Sequence, residues 1–167
     1  YTDYVYAIDP GPLSTPPDSF TMLDKTGWQV EASRFNNESL RAIDGILDTY
    51  WSTQEPQRPG TYFLVDLGGE YQINGVRIHL GQNVAEYPRG YTLGISTDKK
   101  VWKLIKEERE PLPPLLSYAR QPKDPIFEIY FPVRKARYLK ITLMGTHQQY
   151  RWTIHELEVL SPAKSVN

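Results

Sequence analysis

The sequence predicts an all-β domain, an antiparallel β-sandwich of jelly-roll type, and three observations predict it. Fourteen prolines stand in 167 residues, a density that helix interiors do not tolerate. Aromatic residues make up 13% of the chain, and 12 residues are tyrosine, a type suited to a pleated, half-buried surface. From Trp28 onward, short runs of alternating apolar residues are separated by turn residues, as in half-buried strands. No stretch has the length and period of a crossover helix, which sets aside an α/β fold.

Residues 1–26 read as an N-terminal strand and linker, the tail of a preceding domain or a surface extension. Alternation in Tyr4-Val5-Tyr6-Ala7-Ile8 gives way to Asp9-Pro10-Gly11-Pro12 and Pro16-Pro17, which favour extended chain. The domain proper is expected over 27–161, with a C-terminal tail at 162–167. Trp28 to Ser33 reads as a strand. Ser39 to Ile43 is one helical turn, stopped by Asp44-Gly45. Phe63, Val65 and Leu67 share one strand face. Val76, Ile78 and Leu80 share another, with Arg77 and His79 turned away. Gly90–Ser96 and Val101–Lys106 flank the hairpin signal Thr97-Asp98-Lys99-Lys100. A proline-rich loop at Pro111, Pro113 and Pro114 precedes strands at Ile126–Phe131, Arg137–Met144 and Trp152–Leu160. Leu139, Ile141 and Leu143 point inward in the second of these.

Composition narrows the function. With 19 basic and 20 acidic residues the net charge is −1, so the strong cationic field of a nucleic-acid binder is missing. No window approaches the roughly 18 apolar residues of a membrane-spanning helix. The chain has no cysteine, which excludes disulfides, thiolate metal sites and cysteine nucleophiles. Its first residue is Tyr1, which reads as a processed chain or a piece of a larger parent protein. Hydrolase signatures are missing: there is no G-x-S-x-G, and His79, His147 and His155 lack zinc-binding spacing. Glu156 and Glu158 are the one glycosidase-like pair. Two carboxylates on one strand face do not straddle a sugar, so a non-catalytic role is expected.

A set of short motifs recurs in a familiar order. It runs Gly27-Trp28, Ala42-Ile43-Asp44-Gly45, Thr49-Tyr50-Trp51-Ser52, Phe63-Leu64-Val65-Asp66-Leu67-Gly68 and Val76-Arg77-Ile78. Tyr87-Pro88-Arg89-Gly90-Tyr91, Ser96-Thr97-Asp98 with Trp102, Arg137-Tyr138-Leu139-Lys140-Ile141 and Ile154-His155-Glu156-Leu157-Glu158-Val159 complete it. Over about 27–161 the set resembles the discoidin domain, also called the coagulation factor type C domain, whose bacterial members overlap with carbohydrate-binding module family 32. The resemblance implies a galactose-binding-domain-like jelly roll acting as a non-catalytic adhesive module on a glycan. It implies an extracytoplasmic setting and tethering to a larger protein. The rival within the family is a lipid- or protein-binding module, for which Phe35, Leu112, Leu115 and Leu116 are the apolar loop candidates.

Two groups of residues are singled out. Calcium takes six to eight oxygens at about 2.3–2.6 Å. Carbonyls of Arg41, Ile46 and Thr49, the Asp44 carboxylate, the Thr49 hydroxyl and Glu156 make a candidate set, with Gly45 allowing the turn. The resemblance implies a structural calcium at these residues. Ile46 and Leu47 depart from the family pattern, and the alternative is a plain turn at Asp44-Gly45. Ile154 lies on the opposite phase to Leu157 and Val159, so a bulge near His155 is expected, re-aiming Glu156. For glycan contact the loop residues Arg34, Phe35, Asn36, Gln54, Gln82, Asn83, Arg89, Tyr150 and Arg151 supply amides, guanidinium groups and aromatic faces. Trp28 and Trp51 are expected in the core instead, with Trp102 and Trp152 alike. Ser52 stands where galactose-binding relatives often carry His, so their specificity does not transfer. The basic run from Lys99 to Arg109 is balanced by Glu107, Glu108 and Glu110 and reads as a solvated face. Asn37-Glu38-Ser39 is a glycosylation sequon.

Overall fold

The structure is a computed structural model describing residues 19–163. The expectations for Tyr4–Ile8 and the Pro16-Pro17 stretch, and for the last four residues, lie outside the described residues. Nine strands follow in order: β1 Phe20–Met22, β2 Gln29–Ala32, β3 Trp51–Ser52, β4 Tyr62–His79, β5 Tyr91–Ser96, β6 Lys103–Glu108, β7 Ile126–Leu143, β8 Thr153–Ile154 and β9 Glu156–Pro162. All pairings are antiparallel.

The two longest strands build the sandwich. The first part of β4, Tyr62–Asp66, pairs with β2 and with Tyr138–Thr142 of β7, whose outer side carries β5 and then β6. The last part, Gly75–His79, pairs with Ile126–Tyr130 of β7 and with β9, which carries β1. Register shifts between Asp66 and Tyr71 and between Ile73 and Gly75 separate the two parts. Gly68, at a φ of 77°, takes the left-handed conformation at the first of these. Irregularities of this kind bend and twist a strand, so β4 and β7 each run through both layers. The sequence expected four separate runs here; the backbone joins them in pairs.

Period-two alternation fixes the core. Phe63, Val65, Leu67, Val76, Ile78, Leu80, Leu139, Ile141 and Leu143 are all buried, as are the four tryptophans. Trp51 meets Trp152 edge-on at 5.2 Å and Phe63 at 4.9 Å. The hairpin between β5 and β6 is closed by Asp98, which accepts hydrogen bonds from the N–H groups of Lys100 and Val101. Two helical pieces stand outside the sheets: a 3₁₀ helix at Asn36–Ala42 and α1 at Leu115–Arg120. The proline-rich loop therefore contains a helix that the sequence did not indicate. It buries no residue, so it leaves no apolar period to read.

The expected irregularity at His155 is a change of sheet. Ile154 pairs with Trp51 in the small β3–β8 ribbon, while Glu156 pairs with His79 in the large sheet. Ile154, Leu157 and Val159 are consequently all buried. Gly81, at a φ of 52°, lies against the His155 ring, where an added Cβ would stand 2.6–2.8 Å from ring atoms.

Candidate functional site

An open groove of about 570 Å³ lies where the 3₁₀ helix, the Asp44–Tyr50 loop, the β3–Gln54 turn and the segment before β8 meet. Its walls are Glu38, Arg41, Asp48, Thr49, Tyr50, Ser52, Gln54 and Arg151. Each wall has a local cause. Phe35 takes a left-handed conformation and opens the 3₁₀ helix, which brings Glu38 and Arg41 to one side. The Asp44 carboxylate folds its own loop, accepting from the Ile46 N–H at 2.9 Å and the Thr49 hydroxyl at 2.7 Å. That loop delivers Asp48, Thr49 and Tyr50. Ser52, itself buried, accepts from the Gln54 N–H at 3.0 Å and sets the turn in which Gln54 adopts φ 54°.

Arg151 is the most constrained polar wall. Its Nε donates to both carboxylate oxygens of Glu86 at 3.0 and 3.2 Å, and Glu86 also accepts from the Thr153 hydroxyl. The guanidinium carbon sits 5.9 Å from the Tyr50 ring centre, and that ring leans on His155 at 4.9 Å. The terminal Nη donors of Arg151 have no protein acceptor among the described residues. Across the groove Glu38 takes Gln54 Nε2 at 3.3 Å and Arg41 at 3.5 Å. The groove thus presents one aromatic ring, free guanidinium donors, carboxylates and an amide.

Of the loop residues expected to touch a glycan, Gln54 and Arg151 line this groove. The others stand elsewhere. Arg34 pairs with Glu55 at 2.6 Å, and its carbonyl accepts the Trp51 indole N–H at 2.9 Å. Asn36 caps the backbone N–H of Ala32 at 2.8 Å, and Phe35 is exposed beside it. Gln82 is exposed, while Asn83 reaches His155 Nε2 at 3.1 Å. Arg89 stacks on Tyr87 at 3.9 Å, hydrogen-bonds its hydroxyl and the Ala85 carbonyl, and faces Tyr150 at 5.5 Å. Gln57, from the same loop as Gln54, is a buried junction: it donates to the Tyr87 and Arg151 carbonyls and accepts from the Arg89 N–H. Glu38, Asp48 and Tyr50, also walls of the groove, were among neither the predicted contacts nor the predicted metal ligands. Two that were predicted as metal ligands, Arg41 and Thr49, are walls of the groove.

The two β9 carboxylates are committed to ion pairs. Glu156 is buried between Lys25 Nζ and the Gly45 N–H, the latter at 2.9 Å. Glu158 meets His79 Nε2 at 3.2 Å and Arg77 at 3.5 Å, while His79 Nδ1 meets Asp124 at 2.6 Å. Burial works against the charged His79. Its hydrogen bonds to Glu158 and Asp124 outweigh that and hold its pKa above the ordinary 6.5. Burial likewise opposes the Glu158 carboxylate, yet His79, Arg77 and Lys25 keep it below 4.5.

Solved structures share this fold at low identity. Chitosan-binding module 1 from a chitosanase/glucanase of Paenibacillus sp. IK-5 is 24% identical, with a TM-score of 0.61 over 80% of this chain and 94% of that one. The family 32 carbohydrate-binding module of Clostridium perfringens NanJ, solved with galactose, is 18% identical, with a TM-score of 0.63 over 86% and 100%. CpGH89CBM32-5 from Clostridium perfringens, solved with GalNAc-β-1,3-galactose, is 22% identical, with a TM-score of 0.62 over 83% and 99%. No curated protein matches the chain. The model of the F5/8 type C domain matches residues 25–157, from the segment ahead of β2 into β9, and the chain therefore belongs to the F5/8 type C domain family.

Proposed function

We propose that this domain is a non-catalytic glycan-binding module and that the groove between Glu38, Tyr50 and Arg151 is its site. The groove carries the reading. A pyranose needs a flat apolar face under its C–H groups and a few fixed donors and acceptors around its hydroxyls. Tyr50 supplies the first, and Arg151, Gln54, Glu38 and Asp48 supply the second, on loops anchored to a rigid sandwich. The sugars seen with the NanJ module and CpGH89CBM32-5 support the same class of ligand.

In this reading the domain docks and releases, holding a parent protein near its glycan outside the cytoplasm. One sugar makes few contacts, and each tenfold in affinity needs roughly 1.4 kcal/mol. Linkage to an enzyme or to further modules raises the effective grip. A glycan array followed by calorimetry tests the proposal. Retention of neutral, acidic or amino sugars, lost on substitution of Arg151, supports it; silence across all three classes sinks it. Turnover of a chromogenic glycoside by the purified domain would establish an enzyme instead.

A second reading rests on α1 and its approach. Leu112, Leu115 and Leu116 are 84%, 64% and 76% exposed, with Arg120 and Lys123 close in sequence. Apolar tips with basic neighbours suit a lipid surface. Binding to anionic vesicles, lost in a Leu115→Ser/Leu116→Ser variant while glycans stay silent, would favour it.

A further inference from the structure

The family resemblance implies calcium at the Asp44 loop, yet a cation belonging to the chain already meets the carboxylate expected to close that shell. Lys25, from the segment between β1 and β2, donates its Nζ to Oε1 of Glu156. The other oxygen, Oε2, accepts the Gly45 N–H at 2.9 Å. Glu156 is 4% exposed, and the Lys25 side chain 25%. Asp44 is occupied as well, with Oδ1 taken by the Ile46 N–H and Oδ2 by the Thr49 hydroxyl. That hydroxyl also lies 3.0 Å from the Ile46 carbonyl. All four carboxylate oxygens of the expected ligand set thus hold protein donors. A divalent ion would also face the ammonium across a shared, buried carboxylate, where like charges repel with little screening. With Lys25 in place, these residues do not fit calcium.

We infer that Lys25 takes the place of the divalent ion: its ammonium, through Glu156, is the tie that holds the Asp44 loop against β9. The tie has three links: Lys25 to Glu156, Glu156 to the Gly45 N–H, and Asp44 to Thr49. The same loop carries Asp48, Thr49 and Tyr50 into the groove. The groove wall is thereby set by the chain's own charge, and its shape does not depend on a supply of metal. This holds whichever ligand the groove takes.

The experiment compares melting temperatures of the protein in EDTA and in millimolar calcium chloride, with a calorimetric titration of calcium chloride alone. The expected result is the same melting temperature in both and no stoichiometric heat. Lowered melting in EDTA together with binding of one calcium would overturn the inference. A double-mutant cycle adds an independent readout. Lys25→Met should lower the melting temperature by about 6–20 °C, and Glu156→Gln should add much less than its own loss on top of it. Fully additive losses would show that the two side chains do not act as one unit. If Lys25→Met does not fold, Lys25→Arg keeps the charge, and the metal comparison on the unaltered chain still decides.

Discussion

Arg151 separates binding from stability more cleanly than any other groove residue, and Arg151→Met is the substitution that shows it. Methionine keeps an unbranched stem and removes every donor. Two quantities follow from the geometry. The ion pair with Glu86 has side-chain exposures of 36% for Arg151 and 15% for Glu86, between the surface and buried regimes. Glu86 keeps the Thr153 hydroxyl as a donor after the change. The expected stability loss is about 1 kcal/mol, or about 2–4 °C in melting temperature for a chain of this size. The binding loss is larger. Free guanidinium donors facing sugar hydroxyls make charge-assisted hydrogen bonds of about 1.5–3 kcal/mol, so Kd should rise by about 10- to 150-fold. Calorimetry with an array-selected glycan, beside a thermal melt of the same sample, measures both. A folded variant whose Kd stays within about twofold of the parent refutes the groove assignment. A collapse of melting temperature that accounts for the lost binding refutes the claim that Arg151 acts on the ligand.

Other consequences can be checked directly. Trp51→Ala removes a fully buried indole together with its hydrogen bond to the Arg34 carbonyl; it should cost about 3–5 kcal/mol, lowering the melting temperature by about 6–20 °C. Trp51→Phe should keep glycan affinity, since the ring never faces the groove. Gly81→Ala puts a Cβ against the His155 ring at a positive φ and should shift the urea midpoint by the equivalent of about 1–3 kcal/mol. The His79–Glu158–Asp124 cluster predicts a pH window. His79, with its pKa raised, contributes stability that is full below pH 6.5 and is lost as pH rises through the folded value. Glu158, with its pKa lowered, contributes stability present above pH 4.5 and lost as pH falls through its folded value. The cluster is therefore most stabilising between those limits. Urea unfolding at pH 5.5 and pH 8 should show a larger drop for the parent than for His79→Gln; equal drops would contradict the cluster's role.

The sandwich was legible because one face of each long strand carries its large apolar residues at every second position. Phe63-x-Val65-x-Leu67 and Leu139-x-Ile141-x-Leu143 carry that period, and their burial follows it. The sheet change at His155 was legible too, as the phase slip between Ile154 and Leu157. What did not show was continuity: the bends within β4 and β7 look in sequence like the ends of strands. The groove was legible only as a set of loops. Polar loop residues have the same composition whether they face a ligand or satisfy the backbone. Asn36, Gln57 and Arg89 do the latter. Glu38 was hidden inside a sequon, and Tyr50 beside a tryptophan that fills the core. Lys25 lay in a stretch read as linker, and its partner is 131 positions away, beyond the reach of any local spacing.

The pairing of the first and last described strands has a mechanical consequence. Phe20 lies opposite Pro162, Thr21 opposite Ser161 and Met22 opposite Leu160, so the chain arrives and departs at neighbouring points on one edge. Tension transmitted through flanking segments would strip these rungs one at a time, like a zip, and would not load them in parallel. Once β1 has peeled away, the pull on the incoming side next meets Lys25, whose ammonium holds Glu156 and, through it, the groove loop. The edge pairing therefore stands ahead of that tie in the path of a load, and its three rungs are the first to open.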